Sequence, residues 1–218
     1  MRRLAILPAL ALLGAAPPVF TDAMDDSARW PAGASDSVAA SGRAVAGVEG
    51  RAVELNYDFG GVSGYAFVRR KADIALPPNF EVRFATRGGG GRNDLQFKLT
   101  DGDNVWWKVW RNRAPPGAWQ EVAIPAGEIS FAWGPASDHK LRHADGIEIV
   151  VARNRDGGAG AVAIDQLRIV SLPGVPAAPA VEDRANAELA ALAKAAPRGA
   201  YPRAFLGEQP YWTLAGSD

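Results

Sequence analysis

The sequence predicts an all-β protein, an antiparallel β-sandwich of the jelly-roll type followed by a short C-terminal helix and tail. Short runs of alternating apolar and polar residues recur between residues 35 and 172, which is typical of half-buried strands. Glycine, proline, aspartate and asparagine separate these runs, as tight turns require. No helical periodicity interrupts them, and a length of about 140 residues suits a single jelly roll.

The chain begins with a segment that is typical of exported proteins. Arg2 and Arg3 precede an apolar stretch over residues 4–16, and small residues follow. This pattern predicts a signal peptide over residues 1–23, cleaved after Ala23, because a cut after Ala16 would place a proline next to the cleavage site. The apolar stretch is shorter than the ~20 residues that cross a membrane. We therefore expect a secreted or periplasmic bacterial protein that has no membrane span after cleavage.

Composition restricts the classes of partner. The chain of 218 residues contains 24 basic and 24 acidic residues, and removal of Arg2, Arg3 and Asp22 with the leader leaves a net charge of −1. Binding through nucleic-acid phosphates needs a net-basic domain, so we expect no nucleic-acid partner. The chain has no cysteine, which excludes disulfides and a cysteine nucleophile. Its core must therefore hold the fold unaided.

The predicted strands follow one another at short intervals. Val53, Leu55, Tyr57 and Phe59 share one face of an early strand that ends at two glycines. Later runs alternate in the same way and stop at turn residues, which predicts roughly nine or ten strands in all. Besides the pair within 93–113, the clearest runs are residues 52–59, 65–70, 80–84, 119–124, 147–152 and 161–170.

Residues 93–113 are the most informative segment. Two alternating runs flank the turn Asp101-Gly102-Asp103-Asn104, which predicts a β-hairpin. Val105, Trp107 and Val109 are predicted to face the core. The opposite face is predicted to bind a sugar, because flat aromatic rings beside hydrogen-bonding groups suit a pyranose ring. The candidate ligand-binding residues are Trp106, Lys108 and Trp110, with Gln96 and Lys98 on the paired strand and Arg153 at the rim.

Two alternatives to sugar binding stay open. Trp106 and Trp110 could instead pack against a missing domain, which would make their face a protein-interaction or assembly surface. A polysaccharide lyase or glycosidase is less favoured, although jelly-roll lyases use arginine, histidine, tyrosine and glutamine side chains. We expect no enzyme, since the sequence has no G-x-S-x-G motif and its glycine run lacks the residues of a phosphate loop. The residues that a lyase would require are His143, Arg153, Tyr65 and Gln96.

The composition changes after the predicted module at residues 24–173. Residues 174–200 are predicted to form a Pro/Ala-rich linker with a short helix over 182–196, whose acidic start and basic end suit the helix dipole. Residues 201–218 carry large apolar side chains in a segment too short to fold alone. We interpret them as the start of a missing or vestigial C-terminal domain.

Four motifs lie at residues 50–61, 80–88, 119–125 and 163–169. They resemble those of galactose-binding-like β-jelly-roll carbohydrate-binding modules of the family 11 type and of complex I intermediate-associated proteins, and the resemblance covers about residues 35–172. The chain also resembles the N-terminal part of secreted bacterial coagulation factor 5/8 type domain proteins. The resemblance implies that the module binds an oligo- or polysaccharide without catalysis and targets an attached domain.

The same resemblance implies a structural calcium ion near the first and last strands, held by carboxylates and backbone carbonyls. Asp165 stands at the acidic position of the closing motif, and Asp36 or Glu49 would join it from the N-terminal side. We expect no other cofactor.

Overall fold

The computed structural model of the chain describes residues 18–35 and 37–174. The predicted leader up to residue 17, Asp36, the linker beyond Gly174, the helix at 182–196 and the tail at 201–218 lie outside the described residues. The described part contains twelve strands and two 3₁₀ turns, Ser27–Arg29 and Ala126–Glu128. The strands are β1 Pro18–Asp22, β2 Ala32–Ala34, β3 Ala39–Ala46, β4 Arg51–Asp58, β5 Tyr65–Ala75, β6 Phe80–Gly89, β7 Asn93–Asp101, β8 Asn104–Arg113, β9 Gln120–Pro125, β10 Ser130–Trp133, β11 His143–Ala152 and β12 Ala159–Ser171.

The strands form two antiparallel sheets, which confirms the predicted all-β sandwich. The β4–β12 sheet has the order β3-β4-β12-β6-β9, and β1 pairs with the C-terminal half of β12. The β7–β11 sheet has the order β10-β8-β7-β11-β5-β2. In the described residues, no helix has the length and apolar character needed to cross a membrane.

The core lies between the sheets and is built from the inward positions of alternating strands. Val53, Leu55 and Tyr57 of β4 are buried, as their spacing predicted, and Phe97 and Leu99 of β7 meet them from the other sheet's inner face. Phe84 and Phe97 stack across the interior with ring centroids 6.0 Å apart. Because each sheet uses one face for this core, its other face points outwards.

The predicted β7–β8 hairpin is present. Asp101 pairs with Asn104, so Gly102 and Asp103 form a two-residue loop in which Gly102 adopts a φ of 56°. Such a loop favours residues that tolerate positive φ, which glycine does without a steric cost. The hairpin places β8 between β7 and the short edge strand β10.

Residues 18–22 are part of the sheet. Phe20, Thr21 and Asp22 pair with Ile169, Arg168 and Leu167 on β12. Met24 and Trp30, which follow β1, are fully buried. The N-terminal segment therefore contributes both a strand and core side chains to the fold.

Candidate functional site

The structure places Trp106 in the core, and its prediction as a solvent-facing sugar platform is wrong. Its side chain is 3% exposed, and its Nε1 donates a hydrogen bond of 2.8 Å to the carbonyl of His139. Phe131 meets the indole edge-on at 5.5 Å between ring centroids, and His139 stacks on Phe131 at 4.0 Å. These contacts hold the indole of Trp106 in the core, on the inner side of β8 and β10.

Lys108 and Trp110 share the inner side of β8 with Trp106. Lys108 pairs with Glu128 at 2.6 Å, beside the second 3₁₀ turn. Trp110 packs against the core and, with Pro115 and Pro116, lines a small cavity of about 250 Å³ at the edge between the sheets. Trp110 points inwards because the hairpin register pairs it with Leu95, and directly opposite residues project to the same face of a sheet.

Gln96 and Lys98 do occupy the outer face of the β7–β11 sheet, as predicted. Their partners on β8 are Val109 and Trp107, which the sequence analysis had placed in the core. The predicted set is therefore divided between two faces. Trp107, and not Trp106 or Trp110, lies beside Lys98.

A row of four side chains crosses the outer face at right angles to the strands. Trp107, Lys98, Glu148 and Arg69 occupy directly opposed positions on β8, β7, β11 and β5. Arg69 Nε donates to Glu148 Oε1 at 2.5 Å, and Lys98 Nζ lies 3.9 Å from Glu148 Oε2. One carboxylate thus lies between two cations in the centre of the sheet.

Aromatic rings surround the Lys98 ammonium. Its Nζ lies 5.1 Å from the ring centroid of Trp133, 5.4 Å from that of Tyr65 and 6.0 Å from that of Trp107. Trp107 and Trp133 meet at 89° with centroids 5.4 Å apart. Burial lowers the pKa of Lys98, Glu148 opposes this by attraction, and Arg69 lowers the pKa further by repulsion. The cluster combines flat apolar rings with a desolvated cation.

A cleft of about 720 Å³ opens on the outer face and is lined by Lys98, Tyr65 and Trp133 of this cluster, whereas Trp107 does not line it. Trp133 and Tyr65 are 47% and 41% exposed, so their rings are accessible from solvent. The cleft also includes Thr100, Gly146 and Asp145, which lie towards the β7–β8 turn. Asp145 accepts hydrogen bonds from Thr100 Oγ1 at 2.7 Å and from Gly102 N at 2.8 Å.

Trp133, Trp107 and Glu148 were not among the binding residues predicted from the sequence. Trp133 lies on the four-residue strand β10, which is too short to show alternation. Glu148 lies within a buried apolar run, where a lone carboxylate indicates a paired charge. That lone carboxylate was the available signal, since a buried acid requires a cationic partner on a neighbouring strand.

Arg153 lies at the end of the sheet rather than among the residues that line the cleft. Its backbone N donates to the carbonyl of Gly64, and its Nη1 donates to the carbonyl of Gly61 at 2.9 Å. These bonds tie the loop after β11 to the loop before β5. The role of Arg153 at a ligand rim stays a prediction.

The residues suggested for a lyase do not assemble. His143 and Arg153 lie at opposite ends of β11, roughly 30 Å apart along the strand. His143 is also held between two carboxylates, with Nε2 2.9 Å from Asp73 and Nδ1 2.9 Å from Asp101. Tyr65 and Gln96 belong to the outer face described above. This geometry provides no common catalytic centre for the four side chains.

The hydrogen bonds of His143 predict a pH dependence of stability. Asp73 and, next, Asp101 raise the pKa of His143 above its usual 6.5, and Asp145 is the further acid near it. The imidazolium is favoured in the folded state, so its stabilisation is complete below the unfolded-state pKa and is lost as pH rises through the raised pKa. We expect the thermal midpoint to fall as pH rises above about 6.5, the unfolded-state pKa, and this fall to be reduced in His143→Gln. An equal slope in both proteins would contradict the assignment.

Asp165 has a hydrogen-bonding role at the β3–β4 turn. It is fully buried, its Oδ2 accepts from Val48 N at 2.6 Å, and its Oδ1 accepts from Gln166 N at 2.8 Å. Gln166 follows it in a β-bulge with a φ of 52°. Backbone N–H groups aimed at a carboxylate satisfy its charge without a cation. Its partner in the calcium prediction, Asp36, lies outside the described residues.

Within residues 18–35 and 37–174, no three His, Cys, Asp or Glu side chains lie close enough to hold a metal ion. The predicted calcium site also uses backbone carbonyls, so the assignment of Asp165 with Asp36 or Glu49 stays a prediction. A calcium site that uses residues beyond the described ranges stays a prediction.

Comparison with solved structures assigns the fold. A family 11 carbohydrate-binding module from Clostridium thermocellum, in complex with a β-1,3-1,4-mixed-linked tetrasaccharide, matches with a TM-score of 0.54 at 17% identity over 69% of this chain and 93% of that one. A family 11 module of a cellulosomal cellulase from the same organism matches with a TM-score of 0.53 at 17% identity over 72% and 97%. A family 11 module solved in solution gives 0.56 at 15% identity over 75% and 99%.

These matches show that the chain has the β-jelly-roll fold found in carbohydrate-binding modules. No protein-family model matches the sequence, and no curated protein matches it. The resemblance to coagulation factor 5/8 type domain proteins stays a prediction.

Proposed function

We propose that this protein binds glycans without catalysis, and that the cleft on the outer face of the β7–β11 sheet is its binding site. The observation that carries the proposal is the arrangement of the exposed rings of Tyr65 and Trp133 beside Lys98 in the cleft. Exposed rings offer apolar faces to the C–H groups of a sugar, and charged groups beside them offer hydrogen bonds to its hydroxyls. The solved family 11 modules, with the same fold, are named for carbohydrate binding.

The dimensions of the cleft suit an oligosaccharide. From Trp133 on β10 to Arg69 on β5 the face spans five adjacent strands, or about 19 Å at a strand spacing of about 4.8 Å. Several pyranose rings fit this length. The half-exposed Arg69 is available to form paired hydrogen bonds with vicinal hydroxyls. Gln96 lies in the neighbouring row and is 8% exposed, so its role in binding stays a prediction. Contacts of this number predict a weak dissociation constant, ~10 µM to mM.

The binding module would serve to hold an attached domain on a glycan. Two features of the sequence support this part of the proposal. The leader at residues 1–23 predicts export to a compartment where polysaccharides are found, and the Pro/Ala-rich linker predicts a tether to a further domain. We therefore place the protein outside the cytoplasm, in the periplasm or the medium, with an oligo- or polysaccharide as its ligand.

Truncation of the exposed rings tests the proposed site. Trp133→Ala and Tyr65→Ala each remove an accessible ring, and we expect each to weaken glycan binding about 10-fold or more, as loss of about 1.5 kcal/mol of stacking predicts. The thermal midpoint should change little, because both rings are more than two-fifths exposed. The measurement is a glycan array followed by calorimetric titration with the strongest ligand.

Trp119→Ala is the matched control. This tryptophan precedes β9 in the other sheet, stacks under Arg87 at 4.8 Å and does not line the cleft. Its loss should leave binding intact. A folded protein that binds no glycan on the array would refute the proposal and favour the protein-interaction alternative, in which the same rings contact a partner domain.

A further inference from the structure

The central row of the cleft is unbalanced in charge. Glu148 carries one negative charge, and it is shared by Lys98 and Arg69. Within the described ranges, neither cation has another carboxylate within 4.0 Å. Lys98 and Glu148 are both buried, whereas the Arg69 side chain is 54% exposed. One positive charge therefore remains uncompensated on the floor of the cleft.

The neighbouring charges do not cancel this excess locally. Arg70 is neutralised by Asp22 at 2.6 Å, on the inner side of β5. Asp145 lies one row further towards the β7–β8 turn, where two hydrogen bonds hold its carboxylate. Asp103 lines the same end, and Lys71 pairs across from Gly146 in that row. The cleft is thus acidic at the turn end and basic at its centre.

The charge imbalance and the burial of Lys98 together favour binding of an anion in the cleft. A buried ammonium loses hydration, and repulsion from Arg69 adds to that cost. An anion that reached the two cations would relieve the repulsion and satisfy the unpaired charge. Aromatic faces alone would not discriminate in this way, because they attract neutral and charged sugar rings alike.

We propose that the cleft selects glycans that carry an anionic substituent, a uronate carboxylate or a sulfate ester, bound by Lys98 and Arg69. This inference rests on the proposed glycan-binding function and specifies its ligand class. A ring stacked on Trp133 or Tyr65 lies beside the ammonium, since both ring centroids are within 5.4 Å of Nζ. Its substituent would then point to the outer edge of the Arg69 guanidinium, whose Nε side faces Glu148.

An array of neutral and acidic polysaccharides tests the ligand class on the full-length chain. The neutral arm contains mixed-linked β-1,3-1,4-glucan, xylan and galactan; the acidic arm contains polygalacturonate, alginate, glucuronoxylan and a sulfated galactan. We expect the strongest binding in the acidic arm, and weaker binding as salt rises from about 0.05 M to about 0.5 M. Uronate and sulfate ligands within that arm distinguish the two sources of charge. Methyl esterification of the best uronate ligand should remove its advantage.

Substitutions of Lys98 and Arg69 test whether these two residues cause the preference for acidic glycans. Lys98→Met should lower affinity for the acidic ligand about 10- to 100-fold, the range expected for one charge-assisted hydrogen bond, and affect neutral ligands much less. Arg69→Gln should act in the same direction, and because Arg69 is largely exposed it serves as the test if Lys98→Met fails to fold. Arg51→Met removes one positive charge from the other sheet and should leave the preference unchanged.

Two results would overturn the inference without touching the proposed function: strongest binding to neutral glycans, or an acidic preference that survives both cleft variants. Absence of all glycan binding would refute the proposed function itself.

Discussion

Trp106→Ala should lower the free energy of unfolding by about 3–5 kcal/mol, the range for a large buried aromatic residue. The substitution removes an indole that is 3% exposed and leaves Phe131 without its edge-on partner. It also deprives the carbonyl of His139 of its donor, the indole Nε1. The measurement is the denaturant midpoint and slope, which together give the change in free energy.

Trp133→Ala is the control for this prediction. Its indole belongs to the next strand and is 47% exposed, so its removal should cost within about 0.5–1 kcal/mol. The two tryptophans are expected to behave in opposite ways, since Trp106→Ala damages the fold and Trp133→Ala damages binding. A stable Trp106→Ala protein that has lost glycan binding would restore the original interpretation of the β8 indoles.

The correct face of β8 was predictable from the hairpin alone. In any hairpin centred on the Gly102–Asp103 loop, Leu99 lies opposite Trp106, and opposite residues share a face. Placing Leu99 in the core therefore requires Trp106 to be there too. The alternation of β8 alone does not identify its core face, because both of its alternating sets contain large apolar residues.

The assembled cleft was less accessible to sequence reasoning. The all-β sandwich follows from local patterns, which each strand carries separately. The row of Trp107, Lys98, Glu148 and Arg69 instead depends on β11 inserting between β7 and β5, an order that joins segments distant in sequence. A single sequence contains no local pattern that specifies such non-consecutive pairing. Glu148 of β11 was accordingly not predicted, whereas the outward direction of Lys98 and Gln96 followed from the local alternation of β7.

A chain that begins at Met24 should be less stable than one that begins at Pro17 by about 3–5 kcal/mol, the cost of breaking a buried ion pair. Removal of residues 18–23 deletes β1 and takes Asp22 away from Arg70, 2.6 Å from it. Both side chains are nearly buried, at 8% and 11% exposure, so Arg70 would be left charged and without its partner. We expect the thermal midpoint to fall by about 10 °C.

Asp22→Asn in the longer chain separates the contribution of the Asp22–Arg70 ion pair from that of β1 pairing. It keeps β1 and its pairing with β12, but removes the charge that faces Arg70 and weakens the acceptor for Trp30 Nε1 at 3.2 Å. This variant should show most of the decrease in unfolding free energy that is expected for the shorter chain. Equal stability of the two chain lengths would show that β1 contributes nothing to the free energy of folding.

The predicted leader, residues 1–23, includes all of strand β1. Cleavage after Ala23 would remove a strand that holds Arg70 and Trp30, whereas cleavage after Ala16 would keep it despite the proline that follows. The intact mass of the exported protein distinguishes the two. A mature chain that starts at Pro17 would combine export with the complete fold. A mature chain that starts at Met24 would be the less stable form, so its thermal midpoint should match that of the recombinant short chain.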